Sequence, residues 1–266
     1  MMKSMVKTGV VLFLLLCFAS GAVAGPTIDA IQKKKELVIG TSASYPPLTF
    51  RAKDGSVRGL DIDLGRFIAS AMKVDLRIEV LPFNDLIPAL ESGKIDMILS
   101  CMTMTPERNM RVAYVGPYFM SGQSVLTTQD VAAKIKGPAD LNRPDFSIAV
   151  PKGTTSERIA GMIFPDAERV VVRSTDEALE MLLKKKVKSL MADYPFVTVE
   201  AIRYRDKGFV ANAPFSAEPL GIAVRQDDPL LVNLLGNLLI LLKSDQWLDE
   251  MGRRWFSDPA WISDLP

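Results

Sequence analysis

The stretch Asp61-Ile62-Asp63-Leu64-Gly65-Arg66-Phe67-Ile68-Ala69-Ser70-Ala71-Met72 sets Leu64, Ile68 and Met72 four residues apart, with Phe67 and Ala71 beside them. That spacing returns apolar side chains to one face of each helical turn, so the stretch reads as an amphipathic helix. Asp61 and Asp63 fall in its first turn, where the helix dipole favours negative charge. On the N-terminal side, Leu37 to Thr41 has the length and composition of a strand. Turn signals then follow at Pro46, Pro47, Lys53, Asp54 and Gly55. On the C-terminal side come a strand near Leu76 to Leu81, a helix from Phe83 to Ser92 that stops at Gly93, and a strand at Met97 to Ser100. Strands alternating with helices predict α/β architecture rather than a sandwich or a bundle.

Beyond Tyr118 the alternation restarts. Strands are expected at Gln123 to Thr128, Asp145 to Val150, Arg169 to Arg173 and Ser189 to Ala192. Helices are expected from Gly153 to Ile163, from Thr175 to Lys185 and onward from Pro195. The last segments, a strand at Gly221 to Val224 and an apolar helix at Leu230 to Leu242, have no partners close by in the chain and are expected to return to the first unit. The division expected is therefore a discontinuous first lobe, residues 25–122 and 221–266, interrupted by a second lobe, residues 123–220. Two crossings between α/β lobes form a hinge. No internal repeat and no low-complexity tract interrupts this plan.

At the N-terminus, Lys3 and Lys7 precede the apolar run Val10 to Ala19, and Ala22, Val23 and Ala24 stand before Gly25. A charged start, a short apolar middle and small residues at the end make a secretory signal, cleaved after Ala24. Leu16 before Cys17 is bulkier than a lipid-attachment site wants, so a released, periplasmic product is expected rather than a lipoprotein. Cleavage removes two lysines and no acid, which takes the formal charge from +1 to −1. Neither nucleic acid nor an anionic membrane is indicated as a partner. The remaining 242 residues keep a single cysteine, Cys101, so no intramolecular disulfide can form and stability rests on burial. The absence of histidine excludes Ser-His-Asp and Cys-His nucleophiles and the usual zinc sites. No cofactor and no metal are called for.

The run Gly59, Leu60, Asp61, Ile62, Asp63, Leu64, with Ile68, Ala69 and Met72, resembles the signature of the bacterial extracellular solute-binding proteins of family 3, the capture subunits of polar amino acid ABC transporters. Two further stretches share the likeness. They are Lys94 to Ile98 leading into Thr103, Met104, Thr105, Pro106, Glu107 and Arg108, and Glu218 to Ala223. The resemblance covers essentially all of the chain beyond residue 24. It implies a two-lobed fold of the type II periplasmic-binding class, with a hinge between α/β lobes, working as a monomer with a free amino acid as ligand and a membrane permease as partner.

The same resemblance implies the site. Arg108 would pair with the ligand α-carboxylate, a task that suits a planar guanidinium fork; its other reading is a solvated arginine at a helix start. Thr103 would help hold that carboxylate through its hydroxyl. Cys101 stands where relatives carry a serine whose backbone contributes, and reads equally as an inert buried thiol. Met102 and Met104 read as packing. Thr154 and Thr155 open a helix whose free amides suit a carboxylate, and either threonine could equally serve as its cap. Asp193 would take the ligand α-ammonium, or else act as a turn former or cap. Tyr45 and Phe50 would wall the ligand side chain, with core packing the other reading for both. Ser42 departs from relatives of the family that take cationic amino acids, which carry an aspartate there, and so favours a neutral or polar ligand. The rival function is an exported cyclohexadienyl or arogenate dehydratase on the same scaffold. That chemistry needs a general acid, and Tyr194 to Phe196 supply none, which leaves Glu218 open.

Overall fold

The computed structural model describes residues 25–266. The expected signal at residues 1–24, its cleavage after Ala24, and Cys17 lie outside the described residues. The chain begins with α1 (Pro26–Lys34) and β1 (Glu36–Thr41), then a small antiparallel sheet of β2 (Ser44–Tyr45), β3 (Thr49–Arg51) and β4 (Val57–Arg58). The opening stretch of the sequence is α2 (Leu60–Met72), followed by β5 (Asp75–Val80), α3 (Leu86–Glu91), β6 (Met97–Ile98), the short α4 (Pro106–Asn109) and β7 (Ala113–Ser121). A second series follows: β8 (Gln123–Thr128), α5 (Gln129–Ala132), β9 (Ser147–Pro151), α6 (Thr155–Ile163), β10 (Glu168–Val172), α7 (Thr175–Leu183), β11 (Ser189–Asp193), α8 (Tyr194–Arg203) and β12 (Phe209–Ala211). The chain closes with β13 (Glu218–Val224), α9 (Pro229–Ser244) and α10 (Trp247–Gly252).

These elements build two five-stranded sheets, ordered β5-β1-β6-β13-β7 and β10-β9-β11-β8-β12. Both follow one rule. Three strands pair in parallel, a fourth joins antiparallel, and a fifth pairs antiparallel with the fourth and so runs with the first three. Parallel strands covered by helices on both faces are buried along most of their length, and β9 and β11 accordingly have no exposed position. In the first lobe, α2 turns Leu64, Ile68 and Met72 into a core shared with Leu37, Ile39 and Leu235. A second core lies on the other face of that sheet around Leu86, Leu90 and Ile98. The second lobe repeats the arrangement, with Leu179, Leu190 and Phe196 on one face and Phe146, Ile148 and Phe164 on the other.

The strand read at Gly221 begins three residues earlier, at Glu218, and a strand absent from the sequence reading, β7, runs nine residues from Ala113. Pro117 sits inside β7 and lacks the amide that a ladder needs, which hides the strand from a propensity reading. The position is tolerable because β7 is an edge strand, bonded to β13 alone.

The lobes are joined at two crossings. Gly122 alone separates β7 of the first sheet from β8 of the second, and residues 212–217 carry the chain back from β12 to β13. The crossings are bonded to each other: the amide of Gln123 donates to Ser216 Oγ at 2.8 Å, and the amide of Phe215 to the Gln123 carbonyl at 3.0 Å. A side chain at Gly122 would place its Cβ 2.1 Å from the Ser216 carbonyl oxygen, so glycine is what lets the crossings touch.

Candidate functional site

Between the lobes lies a cleft of about 320 Å³. The first lobe lines it with Ser42, Tyr45, Phe83, Ser100, Cys101, Thr103 and Arg108. The second lobe faces them with Lys152, Thr154, Thr155, Ser156, Asp176 and Asp193. The two walls touch: Arg108 Nη2 donates to the Gly153 carbonyl at 3.2 Å, Asn84 Nδ2 to the Lys152 carbonyl at 3.1 Å, and Tyr45 Oη to Asp193 Oδ2 at 2.9 Å. The lobes are thus in contact across the cleft.

Arg108 is delivered by α4, which Thr105 caps by accepting from the Arg108 amide, with Pro106 in the first turn. Its guanidinium lies over the Phe83 ring, 5.3 Å from the centroid, and also donates to the Thr103 carbonyl at 3.0 Å. Burial depresses its pKa, while Tyr114, Glu218 and Asp193 favour its charge. Among the described residues no carboxylate forms an ion pair with it; its side-chain hydrogen bonds go to carbonyl oxygens.

Asp193 ends β11 on the opposite wall and is only 6% exposed. Its carboxyl takes hydrogen bonds from Ser121 Oγ at 2.7 Å, Tyr45 Oη at 2.9 Å and Gln123 Nε2 at 3.2 Å. Burial, reinforced by the charge of Glu218, nevertheless lifts its pKa to about 6 against those bonds. Tyr45 is held at both ends. Its hydroxyl also accepts from the Asp193 amide at 2.8 Å, and its ring stacks on Phe196 with centroids 4.9 Å apart.

Thr154 is the cap of α6. Its hydroxyl accepts from the Glu157 amide at 3.3 Å and donates to the Pro151 carbonyl at 2.6 Å. Thr155 and Ser156 follow as the first residues of that helix, where backbone amides have no intrahelical acceptor, and both residues line the cleft. Cys101 lines it too, in a left-handed backbone conformation (φ 51°), but its amide is spent on Asp61 Oδ2 at 2.8 Å. Burial, with nearby acids, pushes its thiol well above the ordinary range.

Phe50 does not join this group. It is 2% exposed in the first-lobe core, 5.8 Å from the Trp255 ring and 5.2 Å from Trp261, so core packing describes it. Thr103 is at the cleft floor, but its hydroxyl donates to Glu218 Oε2, at a long 3.4 Å. Ser42 meets Ser100: the Ser42 amide donates to Ser100 Oγ at 2.9 Å, and that hydroxyl donates to Ser42 Oγ at 3.2 Å.

Three buried groups beneath the cleft carry more than the sequence reading gave them. Asp61, fully buried in the first turn of α2, accepts from Tyr118 Oη as well as from Cys101, and burial lifts its pKa to about 7. Gln123, also fully buried, spans the hinge: its Nε2 donates to Glu218 Oε2 at 2.7 Å, and its Oε1 accepts from Ser156 Oγ at 2.7 Å. Glu218, 3% exposed, accepts further from Thr155 Oγ1 at 2.9 Å. A Gln opening a strand carries no sequence signal of this kind, whereas the Asp61 position was visible within the α2 signature.

Among the described residues, no helix is long and apolar enough to cross a membrane, and no group of three or more His, Cys, Asp or Glu side chains is placed to hold a metal ion.

Known proteins resemble this chain along most of its length. The family model for bacterial extracellular solute-binding proteins, family 3, matches residues 37–258. The L-arginine-binding protein of Pseudomonas aeruginosa is 30% identical, over 92% of this chain and 96% of that protein. The ABC transporter glutamine-binding protein of Bacillus subtilis is 30% identical over 88% of this chain and 86% of its own. Among solved structures, the putative binding component of an ABC transporter from Wolinella succinogenes, complexed with lysine, superposes with a TM-score of 0.83 at 33% identity, covering 86% of this chain and 99% of that one. An ancestral amino acid-binding protein described as a precursor of cyclohexadienyl dehydratase gives 0.79 at 36% identity, with the same coverage. Sequence, sheet order and cleft converge, and the chain belongs to the bacterial extracellular solute-binding proteins, family 3.

Proposed function

We propose that this protein captures a free α-amino acid outside the cytoplasm by closing its two lobes, and hands it to the permease of an ABC transporter. The lobes in this reading are residues 25–121 with 218–266, and residues 123–211, joined by Gly122 and residues 212–217. The observation that carries the reading is that Arg108 and Asp193 line one cleft from opposite lobes. A zwitterion between them sets its carboxylate on Arg108 and the α6 amides, and its ammonium on Asp193. The ligand then bridges both lobes, so binding and closure are one event. Closure removes water from both charge pairs and strengthens them, and the closed surface is what a permease can distinguish from the open one. One chain supplies both walls, so a monomer is sufficient.

Ser42 and Ser100 put hydroxyls where an acid would answer a cationic side chain. Hydroxyls there favour a neutral or polar ligand, such as the glutamine named for the Bacillus subtilis relative, over the arginine and lysine named for the others.

A thermal-shift screen over the twenty protein amino acids tests the reading. A ligand present at ~100 times its Kd adds about 2.7 kcal/mol to the folded state, which raises the midpoint of a chain this size by roughly 5–10 °C. No shift with any amino acid refutes it. Incubation with prephenate or arogenate covers the dehydratase alternative, since turnover at enzymatic rates makes the protein a catalyst.

A further inference from the structure

We propose that Glu218 is a positioning residue that fixes the hydrogen-bond polarity of the cleft floor: by taking the hydroxyl protons of Thr103 and Thr155, it makes that floor a seat for a primary ammonium group. The inference deepens the proposed function and rests on it. Three donors converge on Glu218 Oε2, from Gln123 Nε2 at 2.7 Å, Thr155 Oγ1 at 2.9 Å and Thr103 Oγ1 at 3.4 Å. A hydroxyl has a single hydrogen to give and otherwise offers lone pairs. Once Thr103 and Thr155 have given theirs to Glu218, they can only accept from whatever enters the cleft.

The orientation of the network is over-determined. Ser156 Oγ donates to Gln123 Oε1 at 2.7 Å, which turns the Gln123 amino group toward the acids; it then reaches Glu218, Asp193 at 3.2 Å and Thr155 Oγ1 at 3.2 Å. The side-chain donors of Gln123, Thr103, Thr155, Ser121, Tyr45 and Ser156 are thereby turned toward Glu218, Asp193 or the Gln123 carbonyl. Facing the ligand at this end are the Asp193 carboxylate and threonine lone pairs, all acceptors. The donors left for a carboxylate are the Arg108 guanidinium and the first backbone amides of α6. The charged groups around Glu218 are Asp193 on β11 and Arg108 on α4. A ligand that lacks the α-ammonium leaves buried acceptors unpaired, and unpaired buried groups are what reject near-isosteres most strongly.

The test is calorimetry on the wild type, Glu218→Gln and Thr155→Val. The probes are L-glutamine, L-lysine and L-arginine, each set beside the analogue in which hydrogen replaces the α-amino group. The wild type should favour at least one of the amino acids over its analogue by ~100-fold or more, as sites built to bond a polar group do. Glu218→Gln keeps the shape but introduces a donor, which forces a hydroxyl proton back into the cleft; the preference should narrow by ~10-fold or more. Because Glu218 also helps to lift Asp193, the pH midpoint of binding should fall in this variant. Loss of packing alone would not move that midpoint. Thr155→Val should narrow the same preference and serves as the readout should Glu218→Gln fail to fold. Variants that bind with the wild-type preference, within about twofold, overturn the role of Glu218 alone. A wild type that binds any of the three amino acids, but none better than its analogue, overturns the ammonium seat, and one that binds none of the twenty amino acids overturns the functional reading with it.

Discussion

Lowering the pH should weaken ligand binding through one carboxyl group, Asp193, whose pKa burial and Glu218 hold at about 6. An ammonium pairs with the carboxylate and not with the acid, so the ligand draws the pKa down and binding expels a proton. Affinity is therefore full above pH 6 and is lost as pH falls through it. With that pKa, the fraction of Asp193 already ionised is near unity at pH ~7.5 and roughly a tenth at pH ~5, which costs about tenfold in affinity, or ~1.4 kcal/mol. At pH ~6 about half a proton should leave per ligand bound. Without ligand the sign reverses, because a carboxyl raised in the folded state contributes stability at low pH that disappears as pH rises through 6. The ligand-induced rise in melting midpoint should thus grow between pH 5 and 7.5 even as this contribution to the free protein declines. Titration calorimetry in buffers of different ionisation enthalpy counts the proton directly. Affinity that stays flat across that range, or protons taken up on binding, would refute the assignment of Asp193 to the ammonium.

Arg108→Ala should weaken binding by ~100-fold or more, since an unpaired charge in a closed site costs about 3–5 kcal/mol. It should move the melting midpoint of the free protein little, because among the described residues Arg108 forms no ion pair and its side-chain hydrogen bonds go to carbonyl oxygens; calorimetry and a thermal melt read both. Gly122→Ala should destabilise the protein by about 1–3 kcal/mol, the usual scale of overpacking, because its Cβ would stand 2.1 Å from the Ser216 carbonyl oxygen. A denaturation midpoint equal to wild type would show that the crossings are not held in contact. Asp61→Asn should flatten the pH dependence of stability: a buried carboxyl lifted to about 7 favours the fold at low pH and stops doing so as pH rises through 7. Comparing wild-type and variant urea curves at pH 5 and pH 8 isolates that difference from the opposing effect of surface acids.

Local pattern served well wherever an element could be recognised without its neighbours. The α2 spacing at Leu64, Ile68 and Met72, the buried runs of β9 and β11, and the cap-and-helix reading of Thr154 and Thr155 all depend on residues within a turn or two, and the elements stand where the sequence put them. β7 was missed for a tertiary reason: Pro117 is acceptable only because β7 has one neighbour, and an edge position is not written in the strand itself. Phe50 failed in a similar way. An aromatic residue after two prolines can face a cleft or a core, and Trp255 and Trp261, some two hundred residues on, decide for the core.

The hinge residues show why the site was only half legible. Arg108 and Asp193 belong to short motifs, so each could be picked out alone. Gln123 and Glu218 acquire their roles only where β8, β13 and α6 converge, at residues separated by 32 and 63 positions from Thr155. A buried carboxylate among three donors is strongly oriented, but its partners come from three separate stretches and no spacing announces them. The consequence is physical as well as methodological. The acid that opens β13, the side-chain amide that opens β8 and the first hydroxyl of α6 are bonded to each other, so the proposed ligand seat shares its hydrogen bonds with both crossings. On the proposed reading the hinge and the ligand seat form one network, so Gln123→Ala should alter affinity, read by calorimetry, and closure, read by small-angle scattering with and without ligand, together; a change in one alone would refute the coupling.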